Sequence, residues 1–175
     1  MESNKYGLPF TVQHSRSRSS KAMSRGICWA GLSRVLVERD CQMRRLQVLL
    51  ADDHPNMLRR VENILEPMFE VVGKVADGKS LLEAAGKLNP DLIVTDISMP
   101  ILNGIEAVKN LKESGSRAKV VFLTVHADFE FVNACFEAGA SGCVWKPQLV
   151  PDLLFAIRAA VAEHSFTSTN LTYRN

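Results

Sequence analysis

The sequence lacks a long apolar run. Its most apolar stretch, GICWAGLSRVLV, is shorter than the roughly 18 residues that a membrane-spanning helix needs, and Arg34 interrupts it. Cysteine is also scarce, and no two cysteines form a C-x-x-C pair. The four cysteines are Cys28, Cys41, Cys135 and Cys143. A membrane span is therefore not predicted, and reduced thiols in a cytoplasmic protein are favoured over a disulfide framework.

Histidines at the spacing of a zinc site are absent as well. His54, His126 and His164 are isolated in the sequence, so each is interpreted as polar surface rather than as a metal ligand or a phosphate carrier. What the chain does have is 46% hydrophobic and 23% charged residues over 175 positions, which is enough for one ordinary core. This composition predicts a single globular domain.

Charge divides the chain into two parts. Residues 1–46 hold nine Lys/Arg and three Asp/Glu, a net charge of +6, whereas residues 47–175 hold 12 and 16, a net charge of −4. The basic part includes HSRSRSSKAMSRG, which has no apolar period and is typical of disorder. We expect residues 1–45 to be a basic extension, and Met43, which opens MRRLQVLLADDHP, to be the true start of translation. A basic tail that tethers the domain to an acidic partner or to nucleic acid is the alternative.

Five short apolar runs follow at regular intervals and predict five strands. They are LQVLLA (46–51), EVVGKVA (70–76), LIVTD (92–96), KVVFLT (119–124) and GCVW (142–145). The segments between them have helical periodicity, which gives the order (βα)5. Helix starts are expected at Pro55, at the capping box of Asn103 and Glu106, at an Asp128 cap, and at Pro151.

This alternation predicts an α/β fold, in which parallel strands are joined by right-handed crossovers and form an open, doubly wound sheet. Ligands of such sheets bind beyond the carboxyl ends of the strands. Five polar residues stand at those predicted ends: Asp52, Asp53, Asp96, Thr124 and Lys146. Each alone has an ordinary interpretation as a helix cap, a strand former or a solvated side chain. Together at one rim, they predict a functional site.

The chemistry of this predicted rim indicates a metal-assisted phosphoryl transfer. Three carboxylates a few ångströms apart repel by about 4 kcal/mol per pair at an effective dielectric constant of about 20, which favours a bound divalent cation. Oxygen ligands without His or Cys favour Mg²⁺ over Zn²⁺. A carboxylate on a rigid strand end can then attack a phosphoryl donor, while Thr124 and Lys146 are suited to bind its outer oxygens.

Four segments carry a family resemblance: LLADDHP, DLIVTDISMPILNGIEAVKNLK, FLTVHAD and EAGASGCVWKP. Residues 46–163 resemble the receiver domain of bacterial two-component response regulators, of the NarL/FixJ type, and residues 164–175 form a polar tail. The resemblance implies a flavodoxin-like, five-stranded parallel sheet in the order 2-1-3-4-5. It also implies a signalling module whose only catalysis is its own phosphotransfer and autodephosphorylation.

The same resemblance assigns roles to the rim residues. Asp96 would accept a phosphoryl group from the phosphohistidine of a histidine kinase or a phosphotransfer protein, and Thr124 and Lys146 would bind that group. The implied Mg²⁺ ligands are Asp52, acting through water, Asp53, Asp96 and the backbone carbonyl of Ser98. The output would be contact with an unknown protein, with homodimerisation on phosphorylation as a possibility.

Two positions depart from the family pattern. Cys143 stands three residues before Lys146, where receivers usually have a Tyr or Phe that acts as a rotameric switch. Trp145 shares the sheet face of Cys143, because side chains alternate along a strand, and it is expected to pack in the core rather than act as that switch. Val125 follows Thr124, where Ala or Gly is frequent, and is expected to narrow access to the phosphoryl site.

The receiver interpretation has two alternatives, a phosphatase and a nucleic-acid-binding protein. A haloacid-dehalogenase-like phosphatase would need a second Asp two residues after Asp96, where this chain has Ser98. The segment HSFTSTNLTYRN after the last predicted helix has no room for a DNA-recognition helix, so direct DNA binding is not expected. Nucleic-acid binding through the basic N-terminal part stays open, and its signature would be steep salt dependence that deletion of residues 1–42 abolishes.

Overall fold

The structure is a computed structural model, and it describes residues 44–126 and 128–168. The predictions for the basic extension, for the start at Met43 and for Cys28 and Cys41 lie outside the described residues, as does the end of the predicted tail.

The five predicted strands are present almost as expected. They are β1 (Gln47–Ala51), β2 (Glu70–Val75), β3 (Leu92–Asp96), β4 (Lys119–Thr124) and β5 (Gly142–Trp145). Five helices separate or follow them: α1 (Pro55–Leu65), α2 (Gly78–Leu88), α3 (Gly104–Glu113), α4 (Phe129–Glu137) and α5 (Leu149–Val161). A short 3-10 turn, Lys146–Gln148, joins β5 directly to α5. Among the described residues, no helix has both the length and the apolar character needed to cross a bilayer.

The sheet is parallel and has six strands rather than five. Its order is β2-β1-β3-β4-β5-β6, where β6 is the two-residue strand Phe166–Thr167. The predicted order of the first five strands is confirmed, but the segment predicted as a polar tail contributes to the sheet. The backbone amide of Phe166 donates to the Ser141 carbonyl at 3.1 Å. The Phe166 side chain packs against the core beside α5, and this apolar contact anchors a strand too short for a period-two pattern.

Alternation of apolar side chains divides the core into two layers, one on each face of the sheet. Leu49, Ile93 and Phe122 face α2, α3 and α4. Their neighbours, such as Leu50 and Val94, face α1 and α5. Because β1, β3 and β4 are apolar on both faces, they read as continuous apolar runs in the sequence, which is why they were predictable.

The helix starts agree with the sequence at three positions and differ at one. Pro55 lies in the first turn of α1, and the Asn103 side chain accepts a hydrogen bond from the Glu106 amide at 2.9 Å. Asp128 is the N-cap residue of α4, as predicted, but its side chain makes no capping hydrogen bond, and only its backbone carbonyl accepts from the first turn. The last helix starts two residues before Pro151, because the 3-10 turn runs straight into it.

Two glycines hold the loop after β3, residues 97–103, against two helix starts. The Gly104 amide donates to the Ile97 carbonyl at 2.8 Å, and the Gly78 amide donates to the Leu102 carbonyl at 3.1 Å. A Cβ atom at residue 104 would overlap the carbonyl oxygen of Asp96, and one at residue 78 would overlap that of Leu102. These close backbone approaches fix the loop that follows Asp96.

Candidate functional site

Four of the five predicted rim residues are buried at the carboxyl end of the sheet. Asp52 follows β1, Asp96 ends β3, Thr124 ends β4, and Lys146 follows β5. The exposed fractions of these residues are 2%, 5%, 1% and 8%, respectively. Charged side chains are almost never buried to this extent unless they are paired, so their partners decide what the rim can do.

Lys146 joins the two buried carboxylates. Its Nζ atom lies 2.8 Å from Oδ2 of Asp52 and 2.9 Å from Oδ2 of Asp96. The remaining oxygens are held by the backbone: the Ile97 amide donates to Oδ1 of Asp96 at 2.7 Å, and the His54 amide donates to Oδ1 of Asp52 at 2.9 Å. Both carboxylates are therefore fixed in position, and the single ammonium group of Lys146 contacts both of them.

Burial is the largest single influence on the pKa values of Asp96 and Lys146. It raises the pKa of Asp96, an effect that the hydrogen bond and charge of Lys146 oppose and the nearby charge of Asp52 reinforces. Burial alone would lower the pKa of Lys146, but hydrogen bonds from its ammonium group to Asp52 and Asp96 outweigh it and raise that pKa. Lys146 thus stays charged, and its one ammonium group faces two buried carboxyl groups.

Asp53 is the third carboxylate of the rim and is partly exposed. Its Oδ1 atom lies 2.6 Å from Nδ1 of His54, and Asp52, Asp53 and His54 can present ligand atoms within 4.8 Å of one another. Ser98, the fourth predicted ligand residue, is exposed in the loop after β3. The carboxyl oxygens gathered at this rim fit a hard divalent cation such as Mg²⁺. The sequence interpretation of His54 as bare surface missed its contact with Asp53.

Thr124 presents its hydroxyl group at the end of β4, the strand next to β3. The His126 amide donates to Oγ1 of Thr124 at 2.9 Å, so the hydroxyl also holds the start of the following loop. Val125, which was expected to narrow access, is 60% exposed. The same hydroxyl donates to the His126 carbonyl at 3.3 Å, so Thr124 stands at the rim with its hydroxyl group bound to the segment that leads into α4.

The usual switch position holds a small buried side chain. Cys143 is fully buried, and its Sγ atom lies 4.0 Å from Sγ of Cys135 on α4. Both are free thiols, and the hydrogen bond with Cys143, together with burial, raises the pKa of Cys135. Trp145 packs against the same core layer as Cys143, as predicted, and its indole N–H donates to the Val125 carbonyl at 3.3 Å. No large ring therefore occupies residue 143.

Asp96→Asn is expected to stabilise the protein. Because the pKa of Asp96 is raised on folding, the folded state binds its proton more tightly than the unfolded chain, and stability falls as pH rises from the unfolded pKa through the folded pKa. Asparagine removes that cost, so the free energy of unfolding should rise by about 1 kcal/mol at neutral pH. The gain should vanish in acid, where Asp96 of the wild type is protonated. Denaturant titrations over a pH series measure both.

Asp91→Asn is the matched control for that measurement. The backbone amide of Gln47 holds the pKa of Asp91 below its usual value, and Arg44 contributes further. Its stabilising effect is therefore present above the unfolded pKa and lost in acid, so asparagine should lower stability at neutral pH. If Asp96→Asn and Asp91→Asn both destabilise the protein at neutral pH, the electrostatic description of the rim is wrong.

Comparisons with known proteins agree with this geometry. The family model for the response regulator receiver domain matches residues 48–158. The transcriptional regulatory protein DegU of Brevibacillus brevis is 34% identical over 131 residues, which are 74% of this chain and 56% of that protein. The chemotaxis protein CheY of Halobacterium salinarum is 36% identical over 111 residues, which are 63% of this chain and 92% of that protein.

Solved structures show the same relationship. The isolated REC domain of RcsB from Salmonella enterica serovar Typhimurium, in the presence of the phosphomimetic BeF3-, superposes with a TM-score of 0.68 at 28% identity, covering 74% of this chain and 97% of that one. A LuxR-family two-component response regulator from Aurantimonas gives a TM-score of 0.69 at 30% identity, covering 73% and 92%. The chain spans a little over half the length of the transcriptional regulators it matches, 56% for DegU and 54% for NarP of Escherichia coli. Its fold, its rim and these matches show that the chain belongs to the response regulator receiver family.

Proposed function

We propose that Asp96 is the phosphoacceptor of this receiver, and that its phosphoryl group comes from the phosphohistidine of a histidine kinase or a phosphotransfer protein. The observation that carries the proposal is the fixation of the buried Asp96 carboxylate between the Ile97 amide and the Lys146 ammonium group. A carboxylate held at a rigid strand end is positioned for in-line attack, and positioning supplies much of the barrier reduction in phosphoryl transfer.

In the proposed reaction, a carboxylate oxygen of Asp96 forms a bond to phosphorus while the N–P bond of the phosphohistidine breaks. The electron pair of that bond stays on the departing ring nitrogen. Because the other ring nitrogen carries a proton, the ring leaves as neutral imidazole, and no external oxidant is needed. Lys146 lies 2.9 Å from the attacking carboxylate and presents positive charge where phosphoryl oxygens arrive. The Thr124 hydroxyl, at the end of the neighbouring strand, is proposed to bind one of those oxygens.

We further propose that Asp52, Asp53, Asp96 and the Ser98 carbonyl hold Mg²⁺. The support is the oxygen-rich rim, in which a single ammonium group faces two buried carboxylates and a third carboxylate lies close by. When bound, the ion neutralises charge on the transferring phosphoryl group. On this proposal the chain is a signalling receiver without substrate turnover. A cytoplasmic location fits the free thiols of Cys135 and Cys143.

The output partner is proposed to be a protein, either another protein or a second copy of this chain. Apolar side chains lie exposed at the start of α4, next to the loop that Thr124 holds: Phe129 is 62% exposed and Phe131 is 37% exposed, with the Phe131 ring stacked on His126 at 4.6 Å. Exposed apolar groups beside a responsive loop are suited to partner contact. Direct DNA binding is not proposed for residues 44–168.

Incubation with acetyl phosphate and Mg²⁺ is expected to add one phosphoryl group per chain. The adduct should be labile to hydroxylamine, as acyl phosphates are, and chelation of the metal should abolish it. Asp96→Asn should lose the adduct, because the nucleophilic oxygen is gone, while the matched Asp91→Asn should keep it. Full labelling of Asp96→Asn in intact-mass spectra would overturn the proposal.

A further inference from the structure

Ser168 is a buried polar residue that the proposed reaction does not use. It is fully buried directly after β6, and its backbone amide donates to the Cys143 carbonyl at 3.1 Å. Its hydroxyl oxygen accepts a hydrogen bond from the Trp145 amide at 3.0 Å and donates one to Oδ2 of Asp152. All hydrogen-bonding groups of this side chain are thus satisfied inside the protein, where an unpaired hydroxyl would be costly.

The two partners of Ser168 flank the turn that carries Lys146. Trp145 is the last residue of β5 and immediately precedes Lys146, while Asp152 lies in the first turn of α5, immediately after the turn Lys146–Gln148. One hydroxyl group therefore joins both sides of a turn whose first residue places its ammonium group between Asp52 and Asp96.

We propose that Ser168 is a positioning residue for Lys146. The hydrogen bonds of Ser168 to Trp145 and Asp152, here called the brace, hold the turn Lys146–Gln148. Through this turn, docking of β6 and binding of a phosphoryl group at Asp96 stabilise one another. This coupling rests on the proposed phosphoacceptor function. Coupling between two sites is reciprocal, so a group that binds Lys146 more tightly when β6 is docked must also hold β6 more tightly.

The residues of β5 favour coupling between Lys146 and β6 through the backbone. Cys143 has no large side chain that could change rotamer when Thr124 moves, and it is packed against Cys135. The backbone of β5, by contrast, is tied to the β6 segment directly: the Phe166 amide donates to the carbonyl of Ser141, just before β5, and the Ser168 amide donates to the carbonyl of Cys143 itself. Displacement of Lys146 therefore has a direct covalent and hydrogen-bonded path to β6.

The test uses amide exchange by NMR on the full chain, with Mg²⁺ and beryllofluoride as a phosphoryl mimic. In the wild type, the mimic should slow exchange of the Phe166 and Ser168 amides by about fivefold, the range that one buried hydrogen bond accounts for. In Ser168→Ala these amides should exchange fast with and without the mimic. By reciprocity, Ser168→Ala should also bind beryllofluoride about fivefold more weakly, measured by fluorine NMR.

Ser165→Ala is the matched control, because Ser165 is exposed in the same segment, and it should behave as the wild type. Asp152→Ala provides a second disruption of the brace if Ser168→Ala folds poorly. If the mimic binds the wild type but leaves β6 exchange unchanged, or if Ser168→Ala binds it with unchanged affinity, the positioning proposal is overturned while the phosphoacceptor function stands.

Failure of the mimic to bind the wild type would instead contradict the proposed function. A separate arm then decides the role of Ser168 without any phosphoryl chemistry. Asp96→Asn removes one carboxylate partner of Lys146, so it should speed exchange of the β6 amides by about fivefold while the amides of β1 and β3 stay protected. If the exchange rates of the β6 amides in Asp96→Asn equal those of the wild type, the proposed role of Ser168 is overturned in that case.

Discussion

Lys146→Met is expected to lower the free energy of unfolding by about 3 kcal/mol at neutral pH, because it leaves two buried carboxylates without their shared cation. Methionine keeps much of the side-chain volume, so the loss reports charge rather than packing. Asp52 and Asp96 are 2% and 5% exposed, and water cannot replace the ammonium group. Without it, the Asp96 carboxyl should take up a proton more readily still, so the loss should shrink as the pH falls into the acidic range.

Denaturant titration across pH measures this loss, with Lys119→Met as the control. Lys119 also pairs with a carboxylate, Glu163 at 3.1 Å, but the two side chains are 35% and 81% exposed. A surface pair of this kind contributes at most about 1 kcal/mol. Equal losses in the two variants would show that Lys146 is not the buried cation on which the rim depends.

Gly104→Ala is expected to have the second large effect. The new methyl group would overlap the carbonyl oxygen of Asp96, so the start of α3 must move away from the end of β3 and the Gly104–Ile97 hydrogen bond must lengthen or break. Overpacking of this kind costs about 2 kcal/mol. Because the Ile97 amide also orients Asp96, labelling by acetyl phosphate should slow on the order of 100-fold.

Gly86→Ala tests whether that effect is specific to the contact. Gly86 lies inside α2, and a Cβ atom there meets nothing within 4 Å. Alanine should therefore stabilise the helix by about 0.5 to 1 kcal/mol and leave labelling unchanged. Thermal unfolding and the labelling rate are measured on both variants. Labelling of Gly104→Ala at the wild-type rate would contradict the role of this close approach in holding Asp96.

The strands and the rim were predictable because each depends on local sequence. A parallel strand buried on both faces is a continuous run of apolar or β-branched residues, so the runs that end at Asp96 and Thr124 could be predicted from sequence alone. Strand β6 could not be predicted in this way, because two residues show no periodicity. Its anchor, Phe166, packs against core residues that are distant in sequence. The start of α2, which Asp77 caps through the Ser80 amide, also received no predicted boundary.

Non-local contacts explain the other differences. That one ammonium group bridges Asp52 and Asp96 depends on the turn geometry at the end of β5, which no spacing in the sequence reveals. The same holds for the backbone approaches at Gly78 and Gly104, where a glycine in the sequence gives no indication of what it faces. Asp128 has the residue type of a helix cap, yet its side chain leaves the α4 amides uncapped, because residue preference does not determine the rotamer.

The assignment of Asp96 is tested most directly by locating the phosphoryl group. Protein treated with acetyl phosphate and Mg²⁺ is reduced with borohydride, which converts an aspartyl phosphate to homoserine, and peptides are then sequenced by mass spectrometry. We expect homoserine at residue 96 alone, and none after chelation of the metal. Modification at Asp52 or Asp53, or equal modification without Mg²⁺, would contradict the assignment of Asp96 as the metal-dependent phosphoacceptor.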